Sequence, residues 1–159
     1  MSRVYAVSFE NVAVGTAAQD LFELSPADDK PIRILGIILS NVGGAADAGD
    51  AQEELIRLTL KRGHTSSGSG GSAFTPLALD PSDAAAGFAA EINNTTVASA
   101  GTAVVLLADG WNIRIPYQLF FTPETQPQAN QGNTTIVLRS ESTLADAITM
   151  SGTIYVEEL

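Results

Sequence analysis

The C-terminal run ITMSGTIYVEE places Ile148, Met150, Gly152, Ile154 and Val156 at one parity, with Thr149, Ser151, Thr153, Tyr155 and Glu157 at the other. Side chains of an extended strand point alternately to opposite faces, so this run has an apolar and a polar face only as a β-strand. The same alternation recurs in WNIRIPYQLFF, where Trp111, Ile113, Ile115, Tyr117, Leu119 and Phe121 share a parity and Phe120 breaks the polar one. Pro116 cannot donate a ladder hydrogen bond, which predicts an edge strand or a bulge there.

Six further segments have strand composition: Arg3–Phe9, Gln19–Leu24, Ile32–Asn41, Glu54–Lys61, Ala98–Leu107 and Thr134–Ser140. About eight strands separated by turn-rich segments predict an all-β, two-sheet β-sandwich, jelly-roll-like, in a single domain over residues 1–159. One short helix is predicted within Asp80–Ile92, with Asp80 as cap, Pro81 in the first turn and Ala84–Ala86 as helix formers; Gly87 limits its length. The alternation predicts burial of Ile34, Ile38, Leu58, Ile113, Ile115, Ile136, Ile154 and Val156.

Charge and composition narrow the function. The chain has 8 basic and 18 acidic residues, net −10. Residues 1–62 hold six basic and nine acidic groups, residues 63–159 two and nine. A charge of this sign repels phosphate backbones, so nucleic acid is not an expected partner. No cysteine is present, which removes disulfides, thiolate catalysis and cysteine-ligated metals. Glu10 and Asn11 interrupt the apolar run that a secretory signal requires, and apolar runs such as Ile34–Leu39 fall far short of the roughly 20 residues that cross a bilayer. The expectation is a soluble product made in the cytoplasm, with no membrane partner.

Each candidate site has a plainer reading beside it. The glycine-rich segment Gly63–Ser72 suggests a phosphate cradle, but Gly71 is followed by Ser72 and Ala73 rather than by Lys and Ser or Thr. A flexible connection is the expectation there. His64 beside Ser66 and Ser67 suggests a base and nucleophile, but a working pair needs rigid backbone and a third orienting group. Asp47, Asp50, Glu53 and Glu54, and separately Asp28 and Asp29, offer oxygen ligands for calcium without EF-hand spacing. Glu91, Asp109, Glu124 and Glu141 are candidate carboxylates for glycoside hydrolysis with no spacing that pairs them. Asn93, Asn94 and Asn133 begin Asn-x-Thr patterns and read as turn or strand-edge groups. The expectation is a chain with no catalytic, cofactor-binding or metal site, not an enzyme.

The succession RVYAVSFENVAV, AAQDLFEL, ADDKPIRILGIILS, AQEELIRLTLKRGHTSSGSGGSAFTP, DAAAGFAAEINNTT and TMSGTIYVEEL resembles small structural proteins of tailed bacteriophages and their prophages, along nearly the whole chain. It is similar to decoration, or cement, proteins that sit on the outer capsid lattice, often as jelly-roll oligomers. The resemblance implies a virion structural protein on the capsid exterior that bridges and stabilises capsid subunits. Its partners would be the major capsid protein and further copies of itself; a closed oligomer, a trimer being favoured over a dimer, is expected because it would protect strand edges and bury Phe120. It transfers no site residue. The alternative is a carbohydrate- or receptor-binding module of a phage particle, for which Trp111, Tyr117, Phe120 and Phe121 are the candidate aromatic contacts.

Overall fold

A computed structural model describes residues 2–14, 17–41, 55–131, 134–141, 144–145 and 147–159. The acidic cluster Asp47, Asp50, Glu53 and Glu54 lies outside the described residues, as does Asn133. Twelve strands form two six-stranded sheets: β1 (Arg3–Val14), β2 (Gln19–Ser25), β3 (Ile32–Asn41), β4 (Leu55–His64), β5 (Ser72–Phe74), β6 (Leu77–Ala78), β7 (Ala89–Asn94), β8 (Val104–Asn112), β9 (Tyr117–Phe120), β10 (Gln128–Ala129), β11 (Thr135–Ser140) and β12 (Ile148–Glu158). One sheet runs β10-β3-β12-β1-β6, with β9 also on β3; the other runs β5-β7-β2-β11-β4-β8. The paired strands are antiparallel.

Removing the short β5, β6, β7 and β10 leaves β1-β12-β3-β9 facing β2-β11-β4-β8. The chain then visits the sheets in the order of a jelly roll, an eight-stranded double Greek key. The predicted sandwich is therefore observed, with an insertion, residues 65–103, between its fourth and fifth strands, β4 and β8. Leu24, Leu58, Leu138, Ile34, Ile154 and Val156 are among the buried side chains that fill the space between the sheets, and Phe9 packs on Phe22 across it with ring centroids 5.2 Å apart.

The insertion decides which edges of the sandwich are covered. Its β6 pairs with β1 and its β5 and β7 extend the other sheet beyond β2, so both sheets are prolonged on the same side. Phe88 meets Tyr5 edge-on at 5.6 Å, and the Gly87 amide donates to Glu158 at 2.6 Å. It also returns over the outer face of β2 and β11. There Arg139 pairs with Asp20 (Nε to Oδ1, 2.5 Å) and donates to the Ala98 carbonyl at 2.8 Å, while the Ala98 amide donates to Asp20 at 2.6 Å. Beside this group, Glu23 accepts from the Gly68 amide at 2.9 Å and from Asn94 Nδ2 at 3.0 Å. All six residues of β11 are consequently buried.

Five expectations need correction. The Asp80–Ile92 segment holds no helix: Asp80 accepts from both the amide and hydroxyl of Ser82, an Asx-turn, and the chain enters β7 at Ala89. Tertiary partners, namely Tyr5 Oη on the Ala84 carbonyl and Glu158 on Gly87, outweigh a weak helical propensity. The run WNIRIPYQLFF is two strands, because the Asn112 side chain accepts from the Arg114 amide and turns the chain before Pro116; Ile115 is left 61% exposed. Ile38 is only half-buried, since Leu35 is an extra residue in the β3–β12 register and shifts the inward set from Ile32 and Ile34 to Ile37 and Leu39. The strand predicted over Ala98–Leu107 begins instead at Val104 and continues to Asn112.

The fifth correction concerns Gly63–Ser72, which is packed rather than a free connection. Ser66 and Ser69 exchange backbone bonds with Ser99 and Thr96, between 2.9 and 3.0 Å. Gly63 has φ +108°, and a Cβ there would lie 2.6 Å from the Thr102 carbonyl oxygen. A Cβ on Gly68 would lie 2.6 Å from the Thr96 carbonyl oxygen, so the backbones approach too closely for any side chain.

Two outcomes follow for stability. Asp20→Ala leaves the Arg139 charge buried and unpaired, and the expected loss is about 3–5 kcal/mol in urea unfolding. Gly68→Val should lower the melting temperature by several degrees, whereas Ser67→Ala, at an exposed position beside it, should leave it within about a degree.

Candidate interaction surfaces

The residues singled out for chemistry do not converge. His64 closes β4 opposite Thr135, and both of its ring nitrogens are buried without a hydrogen-bond partner. Ser66 is engaged with Ser99 through its backbone, and Ser67 Oγ contacts the Gly68 carbonyl and Glu91, both at 3.3 Å. No base-to-hydroxyl contact therefore links His64 to either serine. Asp28 and Asp29 sit on the exposed turn between Ala27 and Lys30. Among the described residues no group of three His, Asp or Glu side chains stands close enough to share a metal ion.

The four candidate carboxylates each belong to a different local arrangement. Glu91 accepts from Asn94 at 2.7 Å, and Asp109 accepts from Tyr117 Oη at 3.0 Å. Glu124 lies on the exposed turn closed by Thr122 and Thr125, while Glu141 accepts from Thr59 at 2.8 Å and pairs with Lys61. Asn93 and Asn94 are buried parts of the network that fastens the insertion, Asn93 accepting from Gln19 at 3.4 Å and Asn94 from the Gly71 amide at 3.2 Å.

Two exposed surfaces stand out among the described residues. The first is the outer face of the β1–β12–β3 sheet. A shallow concavity of about 420 Å³ there is lined by Ser8, Glu10, Asn11, Ser40, Ser151 and Thr153. Next to it Phe120, 60% exposed, lies over Gly36 and stacks on Tyr155 with centroids 6.4 Å apart and planes 20° apart. Phe120 thus points outward, as the break in alternation implied. Of the other aromatic candidates, Trp111 is buried and donates to the Ile115 carbonyl at 2.6 Å. Tyr117 is buried too; burial, then the Asp109 carboxylate, push its phenol above the usual range.

The second surface is β8. It is the last strand of its sheet, and Val104, Val105 and Leu106 are 45%, 56% and 37% exposed. Neighbouring residues of a strand face opposite ways, so uninterrupted exposure means the strand projects past the core with both faces uncovered. Sequence reasoning missed this because Val-Val-Leu-Leu reads as a core strand. The usable signal was the failure of alternation from Val104 to Leu107.

No protein-family model matches this sequence, and no curated protein is significantly similar to it. Among solved structures, T=1 particles derived from infectious bursal virus align at 12% identity over 98% of this chain and 40% of that one, with a TM-score of 0.17. A mutant VP2 protein of infectious bursal disease virus, also in derived T=1 particles, aligns at 10% identity over 100% of this chain and 39% of that one, with a TM-score of 0.15. The chain spans about two-fifths of the length of these proteins, and at such scores the alignment does not relate the folds.

Charge pairs on the sheet margins set the acid response. Arg33 donates to Glu157 and holds that carboxyl below the usual range against the opposing effect of burial. Burial pushes Glu141 up, but hydrogen bonds from Lys61 and Thr59 with nearby positive charge bring it below its ordinary value. A carboxylate depressed in the folded state stabilises above its unfolded pKa, about 4.3, and that stabilisation is lost as pH falls through the folded value. Melting temperature should therefore hold between pH 7 and about 5 and fall below about pH 4. The fall should be shallower in the double variant Glu141→Gln, Glu157→Gln, as differential scanning fluorimetry can measure.

Proposed function

We propose that this chain is a non-enzymatic structural protein of a tailed-phage particle, an exterior decoration or cement protein that bridges and stabilises capsid subunits. Its partners are the major capsid protein and further copies of itself. The observation that carries this reading is the distribution of exposed apolar side chains. Val104, Val105, Leu106 and Phe120 crowd the side of the jelly roll that the insertion leaves open, on a molecule of net charge −10. Leu77 and Leu79 are a second, smaller exposed pair beside β6, but the larger cluster lies along β8 and β9, and such a cluster supports a surface covered by another protein. The jelly roll is a scaffold that capsid and lectin domains both use, so the fold is compatible with the reading without selecting it. The whole-chain resemblance to phage structural proteins supports it, and the acidic charge favours the exterior over the DNA-facing interior.

A second reading is a carbohydrate-binding module, favoured by the hydroxyl-lined concavity beside the Phe120–Tyr155 stack. Burial of Trp111 and Tyr117 weakens it, because flat sugar faces are held by exposed aromatic rings.

The two readings separate in one experiment. Purified protein is mixed with expanded capsids, assembled from the major capsid protein of the same genome and lacking this chain, and followed by co-sedimentation and capsid melting across a salt series. Binding that changes little with salt and raises the capsid melting temperature is the expected result, since apolar contacts are not screened. Binding to a glycan array with no capsid association would replace this reading with the second.

A further inference from the structure

The insertion and β8 stand at opposite ends of the same sheet. At one end β5 and β7 prolong it beyond β2; at the other β8 follows β4 and no described strand follows β8. An edge strand is usually blunted by charge, proline or irregular pairing, because its free backbone groups and side chains recruit other chains. From Val104 to Ala108 β8 carries no charged residue, and the uncharged run extends back to Ile92. Apart from Asp109 beyond this run, its blunting feature is an extra residue, Leu106, between the Leu60↔Leu107 and Lys61↔Val105 pairs, which interrupts the ladder without covering the side chains.

We infer that β8 is a self-contact: two copies of this chain pack their β8 edges antiparallel about a two-fold axis near Leu106, through Val104, Val105 and Leu106. The occupant is a second copy because of charge. Identical chains of net −10 repel each other over most of their surface, and that repulsion is least at β8, where the run itself is uncharged and the β4 residues paired with Val104 and Val105 are the cations Arg62 and Lys61. The register follows from the nearest charge on the strand, Asp109. An axis at Leu106 sets Val104 against Ala108 and Val105 against Leu107, all apolar. It also separates the two Asp109 residues by six residue steps, roughly 20 Å along the strands. That distance exceeds the Debye length of about 8 Å at physiological salt, so their repulsion is screened. An axis at Asp109 would place the two carboxylates face to face, a destabilising pair. Because Leu106 interrupts the ladder, side-chain packing carries the contact. The contact is isologous and closes as a dimer, in place of the trimer that the sequence led us to expect.

The test uses the full chain without capsids, so its outcome is separate from that of the capsid experiment. Light scattering after gel filtration at micromolar concentration should give a dimer mass. Val105→Lys, at a position already more than half exposed, should give a monomer with unchanged circular dichroism and a melting temperature that, unlike the wild type's, does not depend on protein concentration. The absence of cysteine supplies a second measurement. Leu106→Cys should form a disulfide-linked dimer within minutes of mild oxidation at low micromolar concentration, while Leu79→Cys, exposed beside β6 in the other sheet, should remain monomeric on a denaturing gel. A monomeric wild type, a trimer, an oligomer unchanged by Val105→Lys, or no preference for crosslinking at Leu106 would each overturn the inference. A monomer that loses capsid binding on Val105→Lys would overturn it in favour of a capsid contact at the same strip.

Discussion

Arg139 and Asp20 hold together two parts of the molecule that the jelly roll itself does not connect. The pair joins β11 to β2 within the sheet, and both groups also bond Ala98 of the insertion, one to its carbonyl and one to its amide. A buried ion pair adds little net stability over an apolar substitute, but its unmet geometry is costly, so it specifies one arrangement of the groups around it. Here it fixes where the returning half of the insertion lies on the outer face. With that strand seated, Glu23 and Asn94 seat the glycine-rich half, and the glycines of that half are needed because the two backbones approach without room for side chains. The polar layer thus converts what composition alone suggests is a loose loop into part of the fold.

The same insertion polarises the molecule. It prolongs both sheets on the β1 and β2 side, and it buries the outer faces of β2 and β11, down to Val137. The opposite side keeps the exposed, uncharged Val104–Ala108 run of β8 and, on the neighbouring sheet, the outward Phe120. The Tyr117 hydroxyl on Asp109 ties β9 to β8 across the open side, so the two surfaces on it are held in a fixed relation.

Much of the scaffold was legible from alternation. The run from Ile148 to Val156 alternates in burial as its parity implies, and β2, β3, β4 and β11 fall close to their expected spans. Errors arose where one residue changed parity or one side chain stopped a strand. Leu35 moved Ile38 outward, and Asn112 divided the run that contains Ile115. A period-2 pattern carries no mark of an extra residue whose only signature is the register of the partner strand. The candidate site was less legible: exposure of Val104, Val105 and Leu106 depends on what packs beside them, which composition does not encode.

By itself, the sequence determined the class of structure and the character of its surface. Alternation admits only half-buried strands, and an acidic, cysteine-free composition sets the electrostatics wherever the residues fall. Only the tertiary structure decided that residues 65–103 close one side, that Asp80 starts a turn and not a helix, and that β8 ends its sheet. Those outcomes rest on pairings between residues far apart in the chain, such as Asp20 with Arg139 and Gly87 with Glu158. Local propensities of a few tenths of a kcal/mol per residue yield to them, because a buried polar group left without its partner costs about 1–3 kcal/mol.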